Sequence, residues 1–237
     1  MFDDVYQTDG LACAYMNDLK VNHIIIEAKK ELDYLFILPH AGVEYTDAPV
    51  PELIARYRDF IDYGADGVIA SHPHCPQGWE TYKEKPIFYS LGNFLFNSKN
   101  TYDFVAQRPH WYEGLCVKLI LSNGKISQEV INTRNIKNRQ IVIDNSTERE
   151  VHKNNICDLL RDKNKYDRYL KKMINMKSRS IYSNAITFYS RGLKDYIKSG
   201  IALLRCKIKK IPTNNNHHII FKDDAVKALI CRTIKNK

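Results

Sequence analysis

A strand, helix, strand unit between Tyr34 and Ala70 constrains this chain more than any other feature. Tyr34-Leu35-Phe36-Ile37-Leu38 is an apolar run of strand length, followed by the Pro39 to Tyr45 loop. Pro49 and Pro51 mark a helix start, Leu53, Ile54, Tyr57, Phe60 and Ile61 recur at three- and four-residue intervals, and Gly64 supplies a C-terminal stop. Gly67-Val68-Ile69-Ala70 then reads as a second short strand. A unit of this length crosses over right-handed, which makes the strands parallel and brings the loops after them out at one edge of the sheet. Those loops carry His40 and the pair His72-Pro73-His74, so three imidazoles can converge.

Neutral imidazole is the commonest protein ligand for zinc and also suits iron, nickel and copper. A His-x-His pair stiffened by Pro73 points its rings at different targets, as a site with two neighbouring metals requires. Spacing alone leaves a second reading open, in which three polar loop histidines are unrelated surface residues.

Five motifs in one order say more. His40-Ala41-Gly42-Val43-Glu44-Tyr45, Ile61-Asp62-Tyr63-Gly64-Ala65-Asp66, Ser71-His72-Pro73-His74, Glu80-Thr81-Tyr82 and Tyr89-Ser90-Leu91-Gly92-Asn93-Phe94 resemble those of the CapA family. These are poly-gamma-glutamate capsule biosynthesis proteins, similar in fold to calcineurin-like metallophosphoesterases. The resemblance covers about residues 20 to 135, with nothing recognisable after about 145. It implies that His40, His72 and His74 bind a divalent metal (Mn, Fe or Zn), that Glu44 faces the same cleft, and that Glu44 and His74 are catalytic residues, with Glu44 as proton acceptor. It further implies a role in capsule or surface-polymer biosynthesis, as a metallophosphoesterase-like hydrolase or transferase acting on a phosphate ester or an anionic polymer. Ser90 and Asn93 either line that site or cap strand ends.

Some residues depart from the family pattern. Ala41 stands where the family carries a tryptophan, which predicts a less aromatic cleft floor, and Ala70 stands where it carries glycine. The family's early Gly-Asp and Asn-x-Glu motifs belong well upstream of His40, which only 39 residues precede. Asp3, Asp4 and Asp9 follow no apolar strand and read as solvated surface. The expected fold is therefore α/β, a partial metallophosphatase-like sandwich without its N-terminal half, in which an incomplete ligand set holds one ion more readily than two.

Charge divides the chain. Residues 1–150 carry 15 Lys and Arg against 21 Asp and Glu, and residues 151–237 carry 21 against 6. The expected domains are 1–145, completed by a hairpin whose Asn123-Gly124 turn joins two strands, and 146–237, a basic and mainly helical extension. In that extension Ile181, Ala185, Phe188, Tyr189, Leu193, Tyr196, Ile197, Ile201 and Leu204 recur at helical intervals. Such a stripe either packs on the first domain or serves a non-catalytic fragment in binding an anionic polymer or a membrane surface. No recognised nucleic-acid motif accompanies the charge, and nothing in the sequence speaks to oligomeric state. No apolar run approaches the roughly 20 residues that span a bilayer, and the acidic Met1-Phe2-Asp3-Asp4 is unlike a secretory signal, so the expected location is cytoplasmic or peripheral to a membrane. Six scattered cysteines read as reduced thiols, and Cys75 is either a soft extra ligand or an inert buried thiol.

Overall fold

The computed structural model describes residues 16–95, 108–136 and 140–189, with side chains as far as residue 176. The calls on Asp3, Asp4 and Asp9, and on the apolar stripe beyond residue 176, lie outside the described side chains. The chain divides into two compact units, Met1–Tyr166 and Asp167–Lys237.

The first unit is mixed α/β. Helix α1 (Leu19–Glu31) leads to strand β1 (Phe36–Ile37), helix α2 (Pro51–Asp62), β2 (Gly67–Ile69), β3 (Trp79–Tyr82) and β4 (Lys85–Phe88). These strands form one sheet in the order β1-β2-β4-β3. As the crossover argument predicts, β1 and β2 are parallel neighbours, with Phe36 opposite Gly67 and Ile37 opposite Val68. Strand β4 continues the parallel set, and β3 closes it antiparallel. Helix α2 starts on Pro51 and stops where Gly64 takes a left-handed φ of 118°; it buries Leu53, Tyr57, Phe60 and Ile61. Tyr57 stacks on Tyr89 with ring centroids 5.7 Å apart, and Val68, Ile87 and Phe88 complete the core.

A second, antiparallel sheet comprises β5 (Glu113–Ser122), β6 (Lys125–Ile136) and β7 (Gln140–Ile143). Asn123 and Gly124 turn the β5–β6 hairpin at φ 50° and 74°, as that dipeptide predicts. The start of β5 is tied to the loop after β4: Leu115 N donates to Leu91 O at 2.7 Å and Asn93 N to Glu113 O at 3.2 Å.

Helix α3 (Thr147–Arg161) is capped by the Ser146 hydroxyl and buries Arg149, Ile156 and Cys157. It also runs so close to β3 that a Cβ on Gly78 would lie 2.4 Å from Ile156 O. The compact unit thus extends to Tyr166, past the charge boundary near residue 145, because α3 contributes core side chains in spite of its polar composition. Helix α4 (Lys163–Tyr189) follows α3 and begins within this unit. Among the described residues no helix is long and apolar enough to cross a membrane.

Two residues of the family-like motifs have structural duties. Glu80 holds Arg58 through both carboxylate oxygens at 2.8 and 2.6 Å and accepts from Tyr89 Oη at 2.6 Å. Asp66, 4% exposed, accepts from Lys29 Nζ, Lys85 Nζ and Leu35 N at 2.7 to 2.9 Å and so ties α1 and β4 to the residues entering β1. Burial alone would raise the Asp66 pKa, but the two lysines and the Leu35 amide bring it below the ordinary carboxylate value. A depressed folded pKa contributes stability above the unfolded value of about 3.9, and that contribution is lost as pH falls through the folded value. Asp66→Asn is therefore expected to lower the unfolding free energy by about 2 kcal/mol at pH 7. In urea titrations the gap between variant and wild type should close as pH falls below about 4. A gap that stays constant down to strongly acidic pH would refute the charged role.

Candidate metal centre

The parallel strands deliver the predicted histidines to one edge. His40 follows β1 and forms an isolated parallel bridge with Ser71, which follows β2. The two loops are stitched by Ala41 N to Ser71 O at 3.1 Å, Ser71 N to Pro39 O at 3.0 Å and Tyr45 N to Pro73 O at 2.8 Å. Gly42, at φ 141°, lets Pro73 seat against the first loop, since a Cβ there would meet Pro73 Cγ at 2.9 Å. Tyr45, His72 and His74 adopt positive φ angles of 58°, 109° and 59°. Such backbone costs about 1–3 kcal/mol per residue and concentrates at functional sites.

His72 takes part in two arrangements: it faces His40, and it forms a group of three possible donors with Glu44 and His74. His40 Nδ1 lies 3.1 Å from Ser71 Oγ, so with the hydroxyl as acceptor Nε2 keeps its lone pair. That Nε2 faces His72 Nδ1 at 3.2 Å. Two imidazole nitrogens on one tetrahedral ion at about 2.0–2.1 Å lie roughly 3.3 Å apart, so the pair is spaced for a shared cation as well as for a hydrogen bond. One donor atom each from Glu44, His72 and His74 lies within 4.8 Å of the others, so His72 is common to both arrangements. Burial, followed by the neighbouring His72 and His74 rings, lowers the His40 pKa and favours the neutral, ligating form. The donor set fits a divalent ion.

His74 is held from behind. Its Nδ1 donates to Asn93 Oδ1 at 2.9 Å, and Asn93 Nδ2 is fixed by Trp111 O at 2.9 Å, which leaves His74 Nε2 as the lone-pair nitrogen. Asn93 therefore orients a candidate ligand. Ser90 caps instead: it is fully buried, donates to Cys75 O and accepts from Gly92 N. Cys75 is the inert alternative, 3% exposed with Sγ directed at Thr46 O.

Although residue 41 is alanine, His74 has aromatic neighbours. Tyr45 and Trp111 flank His74, with ring centroids 6.0 and 5.2 Å away. Trp111 approaches from the residues before β5, a position that no spacing rule links to His74. Sequence reasoning also missed His110, Glu113, Arg149 and His152, which cluster near Asp47. Their one sequence signal is the His110-to-Glu113 spacing, which is unremarkable by itself.

Comparison with known proteins matches residues 6–98 to the family described as bacterial capsule synthesis protein PGA_cap. The chain is 41% identical over 69 residues to the capsule biosynthesis protein CapA of Bacillus anthracis, covering 29% of this chain and 17% of that protein. It is 40% identical over 74 residues to the PGA biosynthesis protein CapA of Bacillus subtilis (strain 168), covering 31% and 20%. Uncharacterized protein y4sH of Sinorhizobium fredii is 37% identical over 75 residues, covering 31% and 16%. The matched stretch spans a fifth or less of the length of each of these relatives.

Proposed function

Because residues 6–98 match the bacterial capsule synthesis family, we propose that this chain serves capsule or other surface-polymer biosynthesis through a metal-dependent, metallophosphatase-like site. The grouping of Glu44, His72 and His74 at one sheet edge, with His40 against His72, carries the reading. The substrate class it supports is a phosphate ester or an amide-type linkage of an anionic polymer. His40, His72 and His74 would hold one divalent ion, Mn, Fe or Zn, which supplies electrostatic stabilisation of charge developing on the substrate.

The chain's own residues do the remaining work. Asn93 fixes the tautomer of His74, and Ser71 holds the His40 ring through its hydroxyl. Glu44, exposed and with a carboxylate oxygen within 4.8 Å of His72 and His74 donor atoms, is the candidate proton acceptor for an attacking water. Tyr45 and Trp111 flank the ring of His74 and restrict it.

Metal titration of the full chain tests this reading. After chelator treatment, His72→Ala/His74→Ala is expected to take up one equivalent of Mn2+ fewer than wild type, measured by elemental analysis after gel filtration. Equal uptake by the two proteins would remove the site and the hydrolase mechanism with it.

A further inference from the structure

One cluster of ionisable groups is not used by the mechanism. His110 sits in the turn before β5, Glu113 at the start of β5, Arg149 and His152 in α3, and Asp47 in the loop before α2. The rings of His110 and His152 stack face to face, parallel to within 10° with centroids 3.6 Å apart. Their in-plane lone pairs therefore run side by side and do not converge on one ion. Both rings instead present Nδ1 to one carboxylate: His110 to Glu113 Oε1 at 3.0 Å and His152 to Glu113 Oε2 at 2.7 Å. Arg149, wholly buried, reaches Glu113 Oε2 at 3.1 Å and Gly114 O at 3.2 Å.

A carboxylate that accepts from both Nδ1–H groups leaves Nε2 as the position where each ring gains a proton. Among the described residues the charged groups facing the stack are Asp47 from the loop before α2, Glu113 from β5 and Arg149 from α3, with Arg134, Asp144 and Glu150 acting in turn on Arg149. With both rings neutral, Asp47, Glu113 and Arg149 sum to one negative charge, so a first proton neutralises the group. A second proton sets two imidazolium rings 3.6 Å apart, with no room for water between them, and like charges at that separation repel. Burial works against a charge on His152, but Asp47 and Glu113 outweigh it and raise its pKa above the ordinary value. The stability which that proton brings is fully present below the unfolded histidine value of about 6.5 and is lost as pH rises through the raised value.

The turn that bears the stack also backs His74. Trp111, between His110 and Glu113, has its ring centroid 5.2 Å from that of His74. Asn93, which orients His74, donates from Nδ2 to Trp111 O at 2.9 Å and from its backbone N to Glu113 O at 3.2 Å. We propose that His110 and His152, acting through Glu113, are positioning residues for His74, and that their stack is operated by protons: with one it clamps the turn, and with a second the rings part and the turn slackens. The consequence for metal binding rests on the function proposed above, whereas the two-step titration of the stack does not.

The experiment uses the full chain labelled with 15N-histidine and 15N-tryptophan, freed of metal by a chelator and followed by NMR across the histidine range, about pH 9 to 4. His110 and His152 are expected to titrate together in two steps more than about one pH unit apart, and the Trp111 indole resonance should shift with the lower step. In His152→Gln the surviving ring should show the upper step alone, and the Trp111 shift that accompanies the lower one should be lost. His110→Gln is the reciprocal variant, at a side chain 28% exposed, and serves where His152→Gln folds poorly. Two rings that titrate independently in wild type, or a Trp111 shift that persists in both variants, would overturn the proposal. At pH 7 either variant should also bind Mn2+ about tenfold more weakly than wild type, as the loss of an outer-shell partner does. Unchanged Mn2+ affinity beside a working two-step titration would overturn the positioning role. If wild type takes up no Mn2+, the metal reading fails, while the metal-free titration still decides whether the stack governs the turn.

Discussion

Arg149→Met is expected to lower the unfolding free energy by about 3–5 kcal/mol, enough to unfold a marginal domain. Arg149 is 0% exposed and its guanidinium serves Glu113 Oε2 and Gly114 O, at 3.1 and 3.2 Å. Burial would raise the Glu113 pKa, but hydrogen bonds from His110 and His152, reinforced by the Arg149 charge, hold its carboxyl well below the usual carboxylate range. Methionine would fill much of the volume yet strand that charge in a site with little water. Equilibrium urea unfolding at pH 7 measures the effect. Adding Glu113→Gln to Arg149→Met should cost less than the sum of the single changes, because the stranded charge is then gone. A single-variant loss under about 1 kcal/mol would mean that Glu113 is not held as an anion.

Gly92→Ala is expected to destabilise by about 3 kcal/mol through two separable causes. Gly92 has φ 73°, and a Cβ there would lie 2.6 Å from Glu113 O and 2.8 Å from Pro76 N, both backbone atoms. Gly124 is an internal control: its φ is 74° with nothing within 4 Å of a Cβ, so Gly124→Ala isolates the backbone term at about 1 kcal/mol. Gly92 also precedes Asn93, which orients His74. Gly92→Ala should therefore weaken Mn2+ uptake at the first cluster, whereas Gly124→Ala should not. Equal losses of stability in the two variants would show that the backbone around Gly92 relaxes freely.

Legibility in the sequence followed the range of the interactions. Helix α2 was readable because its apolar side chains recur at helical spacing between Pro51 and Gly64. The β5–β6 hairpin was readable from Asn123-Gly124, since few dipeptides accept two successive positive φ values. Helix α1 carries no comparable stripe: it buries only Asn22 and Ile25, and Leu19 and Ile24 are exposed. Of the run Tyr34 to Leu38 only Phe36–Ile37 pairs as strand β1, whose one neighbour among the described residues is β2.

Motif residues divide in the same way. His40, His72 and His74 were singled out as metal ligands because they follow adjacent parallel strands, and in the structure His72 lies against both His40 and His74. The motif carboxylates of Asp66 and Glu80 instead point into the packing, where Lys29 and Lys85 meet the first and Arg58 and Tyr89 the second. Nothing local distinguishes such a carboxylate from Glu44, because the distinction is which face of the finished sheet each occupies.

The sequence by itself determined the crossover unit, the helix ends, the hairpin turn and the common edge of the three histidines, all of which depend on φ preferences and apolar periods within a few residues. Tertiary structure alone decided that Trp111 and Asn93 brace His74, that polar α3 buries Arg149, and that Asp47, His110 and His152 meet around Glu113. Glu113 and His152 are 39 residues apart. Contacts at that separation form only when burial on two sheets and a helix outweighs the loop entropy between them, a balance that no short window of residues records.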